Sequence, residues 1–245
     1  MKETIYTIPI NDCFNNTECE CPVCLFEKKE ECDRIDYTLG ASMMEPDSRI
    51  ITNEKGFCVR HMDMLYNHGN RLSLDLVLQT HIDTLLKKFD TVLKDVEKSK
   101  DKKLGSKDGV KDAVIKASDA IKSANSSCAV CEKLDWIMDK FISNLFFMID
   151  KDEEFENKFF ASKGFCMRHF AMLLEKSEKY MSKAKLKDFT IKLLNLQKSN
   201  YKRIYDDVEW FAKKHDYRFQ KDDWKNSKDA VERASMKASS YFEIE

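Results

Sequence analysis

Two short patterns of cysteine and histidine occur twice in this chain, in the same order and at nearly the same distance. Cys21-Pro-Val-Cys24 is followed by Gly56-Phe-Cys58-Val-Arg-His61, with 33 residues between Cys24 and Cys58. Cys128-Ala-Val-Cys131 is followed by Gly164-Phe-Cys166-Met-Arg-His169, with 34 residues between Cys131 and Cys166. Gly, Phe, Cys, Arg and His recur in register, and Met64-Leu65 recurs as Met172-Leu173. The second copy has Ala129 where the first has Pro22. A repeat of this length makes the chain two homologous halves. The expected parts are a first repeat at 11–98, a charged linker and lead-in helix at 99–117, and a second repeat at 118–214. A carboxy-terminal tail and helix at 215–245 are expected to pack on the core.

Only six glycines and three prolines occur in 245 residues, too few for the turns of a sandwich or barrel. Leu74, Leu78, Ile82, Leu85, Phe89, Val92 and Val96 are spaced by threes and fours, as on the seam of a long helix. Leu186, Phe189, Leu193 and Leu196, then Ile204, Val208 and Phe211, predict a matching helix in the second half. Leu134, Ile137, Phe141, Leu145 and Met148 predict a third, just after Cys131. The expected fold is all-α and pseudo-twofold: two homologous helical repeats with long packed helices, each stapled by a Cys₃His metal site.

Two cysteines with two residues between them can place both sulfurs on one ion, and a Cys-x-x-His pair can complete a tetrahedron. Three thiolates and an imidazole form a closed shell for borderline-soft Zn²⁺. Two zinc ions are therefore expected, the first on Cys21, Cys24, Cys58 and His61, the second on Cys128, Cys131, Cys166 and His169. Iron–sulfur clusters are the alternative cofactor. Redox disulfides are a weaker reading, since no βαβ pattern surrounds the cysteine pairs. Pro22 suits the first turn of a helix, so the pairs are expected at helix starts, where backbone N–H groups stabilise thiolates. Arg60 and Arg168 stand where they can offset the formal charge of −1 on a Cys₃His zinc shell. Cys13, Cys19 and Cys32 have no counterparts in the second half, and Cys19 is close enough to Cys21 to compete for the first metal.

Lys and Arg total 42 against 43 for Asp and Glu, which argues against a nucleic-acid binder. The first ten residues lack the basic and apolar regions of an export signal, and no apolar run reaches the ~18 residues of a membrane span. Nine cysteines without such a signal point to a cytoplasmic location. Between the first ligand pairs, Glu45, Asp47, Arg49 and Asn53 form a dense polar set, expected either as a ligand or partner site or as a turn around Pro46. His68 and His81 read as hydrogen-bonded histidines. In the tail, Ser227 is the expected cap of a last helix with Val231 and Ala234 inward, preceded by aromatics that fold back over the core. No catalytic motif is present.

With these elements assembled, the chain resembles an uncharacterised bacterial family of clostridial type over almost its whole length. The resemblance is carried by Cys-Pro-Val-Cys, Met-Met-Glu-Pro-Asp, Gly-Phe-Cys-x-x-His, and a closing Asp-Tyr-Arg with Trp and Ser-Lys-Asp-Ala. It implies no activity. The expected function is a zinc-binding helical scaffold that acts as a binding or adaptor protein for a protein or small molecule. One alternative is a thiol-based redox or metal sensor. Another is an enzyme using the Glu45–Asn53 loop or the first metal site, although the balance of features is against an enzyme.

Overall fold

The computed structural model describes residues 4–99 and 109–240. Among them there are helices and turns but no strands. The helices are α1 (Ile8–Asn15), α2 (Pro22–Leu39), α3 (Pro46–Lys55), α4 (Val59–Asn67), α5 (Arg71–Glu97) and α6 (Gly109–Ala124), followed by α7 (Ala129–Lys151), α8 (Glu153–Ala161), α9 (Met167–Tyr180), α10 (Lys183–Lys214) and α11 (Ala230–Ser239). A short 3₁₀ turn at Ala41–Met44 joins α2 to α3. The all-α expectation holds. Of the charged linker, residues 100–108 lie outside the described residues, and the lead-in helix is α6. No described helix is long and apolar enough to cross a membrane.

Local chemistry explains where the helices begin. Pro22 and Pro46 occupy first-turn positions, where a missing N–H costs nothing. Asn70 caps α5 by accepting from Ser73 N–H at 3.2 Å, and Asp152 caps α8 by accepting from Phe155 N–H at 3.2 Å.

The chain forms two compact units, one of Met1–Lys29 with Ile137–Glu245 and one of Glu30–Trp136. The boundaries fall inside α2 and α7, so the chain leaves the first unit within one helix and re-enters it within another. The first unit has an aromatic core: Phe14 packs edge-on against Phe155 and stacks on Phe159, and Phe146 lies between Tyr180 and Phe189. Phe26 stacks on Phe141 with centroids 3.9 Å apart. The seam of α10 meets α8, α9 and α11, with Phe189, Leu193 and Ile204 buried.

The second unit is built on Ile35, Leu39, Leu65 and Leu74, with Cys128 and Val130 closing the same cluster. Its long helix α5 packs on α3 and α6. Only its first two turns are buried, at Ser73, Leu74 and Val77, while Ile82, Leu86, Phe89 and Leu93 stay exposed.

The tail departs from expectation in one detail. Ser227 does not cap α11; its hydroxyl donates to Trp224 O at 2.7 Å and ends a turn, and the helix starts at Ala230. That later start rotates the inward face: Ala230 and Lys237 are buried and Val231 is exposed. The aromatics do fold back, Phe211 against Trp224 and Trp210 against Phe219. Buried Lys214 anchors them by donating to the carbonyls of Phe219, Gln220 and Asp222.

Leu193 is fully buried while its neighbour Leu194 is half-exposed. Leu193→Ala is expected to lose ~2–5 kcal/mol of unfolding free energy in urea, and Leu194→Ala to stay within ~0.5 kcal/mol of the parent. Equal losses would contradict the facing of α10.

Candidate metal centres

Four helices begin at a cysteine, and the second residue of each ligand pair stands three positions further on. Cys21 precedes α2 and Cys128 precedes α7; their carbonyls accept from Leu25 N–H at 3.2 Å and Glu132 N–H at 3.1 Å. Cys58 and Cys166 are the N-cap residues of α4 and α9, with ψ of 164° and 161°. Each ligand pair thus spans the first turn of its helix, where unpaired N–H groups favour negative sulfur. Cys166 Sγ accepts from His169 N–H at 3.4 Å. The helix-start expectation holds for all four pairs.

How the pairs meet does not follow the halves. One cluster is Cys21, Cys24, Cys166 and His169; the other is Cys58, His61, Cys128 and Cys131. Each Cys-x-x-Cys gathers with the Cys-x-x-His of the other half, which corrects the expectation that each half closes its own quartet. Helix length supplies the reason. From Pro22 the chain follows α2 for 18 residues and then α3 for only 10, about 27 Å against about 15 Å. In the second half α7 has 23 residues and α8 only 9, about 34 Å against about 14 Å. Neither return leg brings a Cys-x-x-His back to its own Cys-x-x-Cys.

Within each cluster all ligand atoms lie within 4.8 Å of one another. Cys24 Sγ is 3.4 Å from Cys166 Sγ, and the three sulfurs of that cluster lie 3.2–3.6 Å from His169 Nδ1. In the other, Cys58 Sγ is 3.8 Å from Cys131 Sγ, and the three sulfurs lie 3.2–3.3 Å from His61 Nδ1. A tetrahedron with bonds of about 2.3 Å to sulfur and 2.0–2.1 Å to nitrogen has edges of about 3.5–3.8 Å, so each cluster has the size of one ion's shell. All nine cysteines are free thiols, and Cys19, half-buried, belongs to neither cluster. This chain belongs to the family of unknown function DUF6062. The family model matches residues 1–245. Comparison with curated proteins and with solved structures found no match.

Behind each histidine of this DUF6062 protein stands a glutamate that the repeat did not reveal. His61 Nε2 is 3.0 Å from Glu31 Oε1, and Arg60 donates to Glu31 Oε2 at 2.6 Å. His169 Nε2 is 3.4 Å from Glu27 Oε2, a looser contact, while Arg168 grips both oxygens of Glu27. At His61 the carboxylate on the far nitrogen leaves Nδ1 free to face the sulfurs and holds the ring in place; at His169 the far nitrogen is buried without a hydrogen bond among the described residues and meets Glu27 as a charge contact. The arginines, expected beside the shell, bind these glutamates instead. Glu27 and Glu31 lie three and seven residues after Cys24 on α2, so helical spacing is the signal that marks them. Leu134 and Met138, at the matching places on α7, carry no charge, which hides the role from any comparison of the copies.

The glycines before the ligand pairs are also explained. Gly56 and Gly164 have φ of 60° and 77°, a region that side chains rarely occupy. Each is also crowded, Gly56 by the His81 ring and Gly164 by Gln197. His81 Nδ1 is 2.8 Å from Asn53 O. Gln197 clamps Phe165 by accepting from its N–H at 3.0 Å and donating to its carbonyl at 2.6 Å.

The clusters differ in cover. Every ligand of the Cys166 cluster is buried, whereas Cys58 and Cys131 are half-buried. Ser240, just past α11, donates to Cys166 Sγ at 2.9 Å. Lys237, 1% exposed, donates to the carbonyls of Glu20 and Lys163 beside the same cluster. Glu20, itself buried, takes both amino groups of Arg203 at 2.9 and 2.6 Å.

Proton affinities show what close-set thiols do without a cation. Burial and then the Cys128 thiolate push Cys131 up to about 12. Cys128, despite burial, is held at about 6 by hydrogen bonds from His61 and backbone N–H groups. His61 resists the downward pull of burial and rises to about 10 through Cys128 and Glu31. Cys24 is pushed up by Cys166 and Cys21, while Cys166 is pulled down by the thiols it accepts from. In each cluster one thiol is pulled down and another pushed up beside a histidine that is pulled up, the crowding that a divalent ion relieves.

Of the polar set near Pro46, the structure brings no four-residue cluster together. Glu45 accepts from Tyr37 OH at 2.5 Å and Ser48 Oγ at 3.1 Å. Arg49 turns to α5, donating to Leu76 O at 2.6 Å and to Thr80, which donates to Asn53 Oδ1 at 2.6 Å. Asp47 lies in the exposed first turn of α3. His68 pairs with Asp36 at 3.1 Å.

Against burial, contacts with His169 and Arg168 lower Glu27 from 4.5 to about 2. A carboxyl depressed on folding stabilises above its unfolded value, and that share is lost as pH falls through the folded value. In chelator, the parent is expected to exceed Glu27→Gln in urea-unfolding free energy above about pH 4.5, with the gap closing towards pH 2. A gap that does not change with pH would refute this assignment.

Proposed function

We propose that this protein is a two-zinc helical scaffold that serves as a binding or adaptor protein in the cytoplasm. The observation that carries it is the pair of closed Cys₃His shells, each sized for one ion and made where two helix N-termini meet. Four protein ligands leave no open position for a substrate or water, the mark of a structural rather than a catalytic zinc site. Thiolate-rich shells select zinc over hard cations. An iron–sulfur cluster interposes several irons and sulfides between its ligands, which spaces them wider than this shell. The balanced charge, 42 basic against 43 acidic residues, favours a protein or small-molecule partner over nucleic acid. Nine reduced thiols suit the cytoplasm.

Elemental analysis of the purified protein is expected to find two zinc ions per chain. Cys24→Ser, Cys166→Ser and their double variant should each retain one, because all three damage the same shell. Cys24→Ser combined with Cys58→Ser should retain none. If Cys24→Ser with Cys58→Ser kept one zinc while Cys24→Ser with Cys166→Ser kept none, shells closed within each half would be restored.

A thiol-based sensor is a second reading, favoured by the half-buried Cys58 and Cys131. Mild peroxide oxidises accessible thiolates first. It is then expected to release one zinc per chain before the other, with loss of free thiol mapped to Cys58 and Cys131. Simultaneous release of both ions, or release from the buried shell first, would remove the sensor reading.

A further inference from the structure

Beside the half-buried metal centre lies a cavity of about 290 Å³ between α2, α3 and the start of α7. Its floor includes Ala129 and Val130, the two residues between the ligands Cys128 and Cys131. Ile51, Val130 and the Tyr37 ring supply apolar wall, and the hydroxyl of Thr52 lines the same space. Arg34 and Lys133 also line it, and no carboxylate does. In a chain laced with ion pairs, neither cation has an acidic partner among the described residues. Lys133 rests over the Trp136 ring and Arg34 over the Tyr37 ring. The Nε of Arg34 is shielded from solvent and makes no hydrogen bond. Glu45 of the polar set is occupied by Tyr37 and Ser48.

Unpaired cations at the mouth of an apolar hollow favour a ligand that brings both an anion and hydrocarbon. We propose that this cavity binds a small organic carboxylate, its charge met by Arg34 and Lys133 and its chain laid against Ile51 and Val130. The site rests on the two-metal reading at one point only: the shell that holds Cys128 and Cys131 also fixes the floor, so ligand binding is linked to occupancy of that shell.

The probe is octanoate, titrated into the zinc-loaded full chain with amide chemical shifts followed and zinc content measured on the same sample. Saturable shifts confined to Arg34, Ile51, Thr52, Val130 and their neighbours are expected. Octan-1-ol and octylammonium should bind at least tenfold more weakly, and inorganic phosphate should not compete. Lys133→Gln, at an exposed position, should weaken octanoate at least fivefold with both zinc ions retained, and Arg34→Gln should weaken it further. Equal binding of the alcohol or amine, competition by phosphate, or no saturable shift at these residues would overturn the proposal. Two zinc ions without octanoate binding would remove the cavity site alone, whereas octanoate binding by a chain that holds no zinc would remove the metal reading and the linkage of the cavity to the shell, leaving the carboxylate site itself.

Discussion

A helix that opens on a ligand pair carries its own chain away from that pair, and this governs the architecture. The outward helices α2 and α7 are longer than the returning α3 and α8, so a Cys-x-x-Cys must find its complement elsewhere. It finds it in the other copy of the motif. The duplication is therefore not two independent beads. Each quartet needs both copies, and each compact unit holds one whole quartet drawn from two sequence repeats.

Around that arrangement the two centres have diverged. One is roofed by α11 through Lys237 and Ser240 and adjoins the buried Glu20–Arg203 pair. Among the described residues the other has no such roof, and it stands beside a cavity whose two cations have no acidic partner there. Duplication supplied three cysteines and one histidine to each, while unrepeated residues gave one burial and the other access.

What could be read from sequence was what is local. The ligands lie within one helical turn of each other, so spacing and recurrence marked all eight. The placement of the pairs at helix starts followed from Pro22 and the same spacing, and the buried face of α10 from its periodicity, whereas the expected seam of α5 is buried only at its start and leaves Ile82 and Phe89 exposed. The pairing across halves was not legible, because it depends on the difference in length between α2 and α3 and between α7 and α8. Glu27 and Glu31 escaped because α7 has Leu134 and Met138 in their place. His81 and Gln197, which crowd Gly56 and Gly164, lie far along the chain and differ in type. Ser227 misled because its hydroxyl closes a preceding turn on Trp224 O instead of capping α11.

The quartets are nested along the chain, the ligands at 58–131 enclosed by those at 21–169. Cys58 and Cys131 are 73 residues apart, and Cys24 and Cys166 are 142 apart. A ribosome adding about 5–20 residues per second leaves Cys21 and Cys24 as half a chelate for roughly 7–28 s before their complement exists. The inner quartet is complete at Cys131, before Cys166 and His169 of the outer one have been made. The outer one must wait for Cys166 and His169, so vectorial synthesis would impose an order on filling the proposed sites that a refolding experiment, with every ligand present at once, does not reproduce.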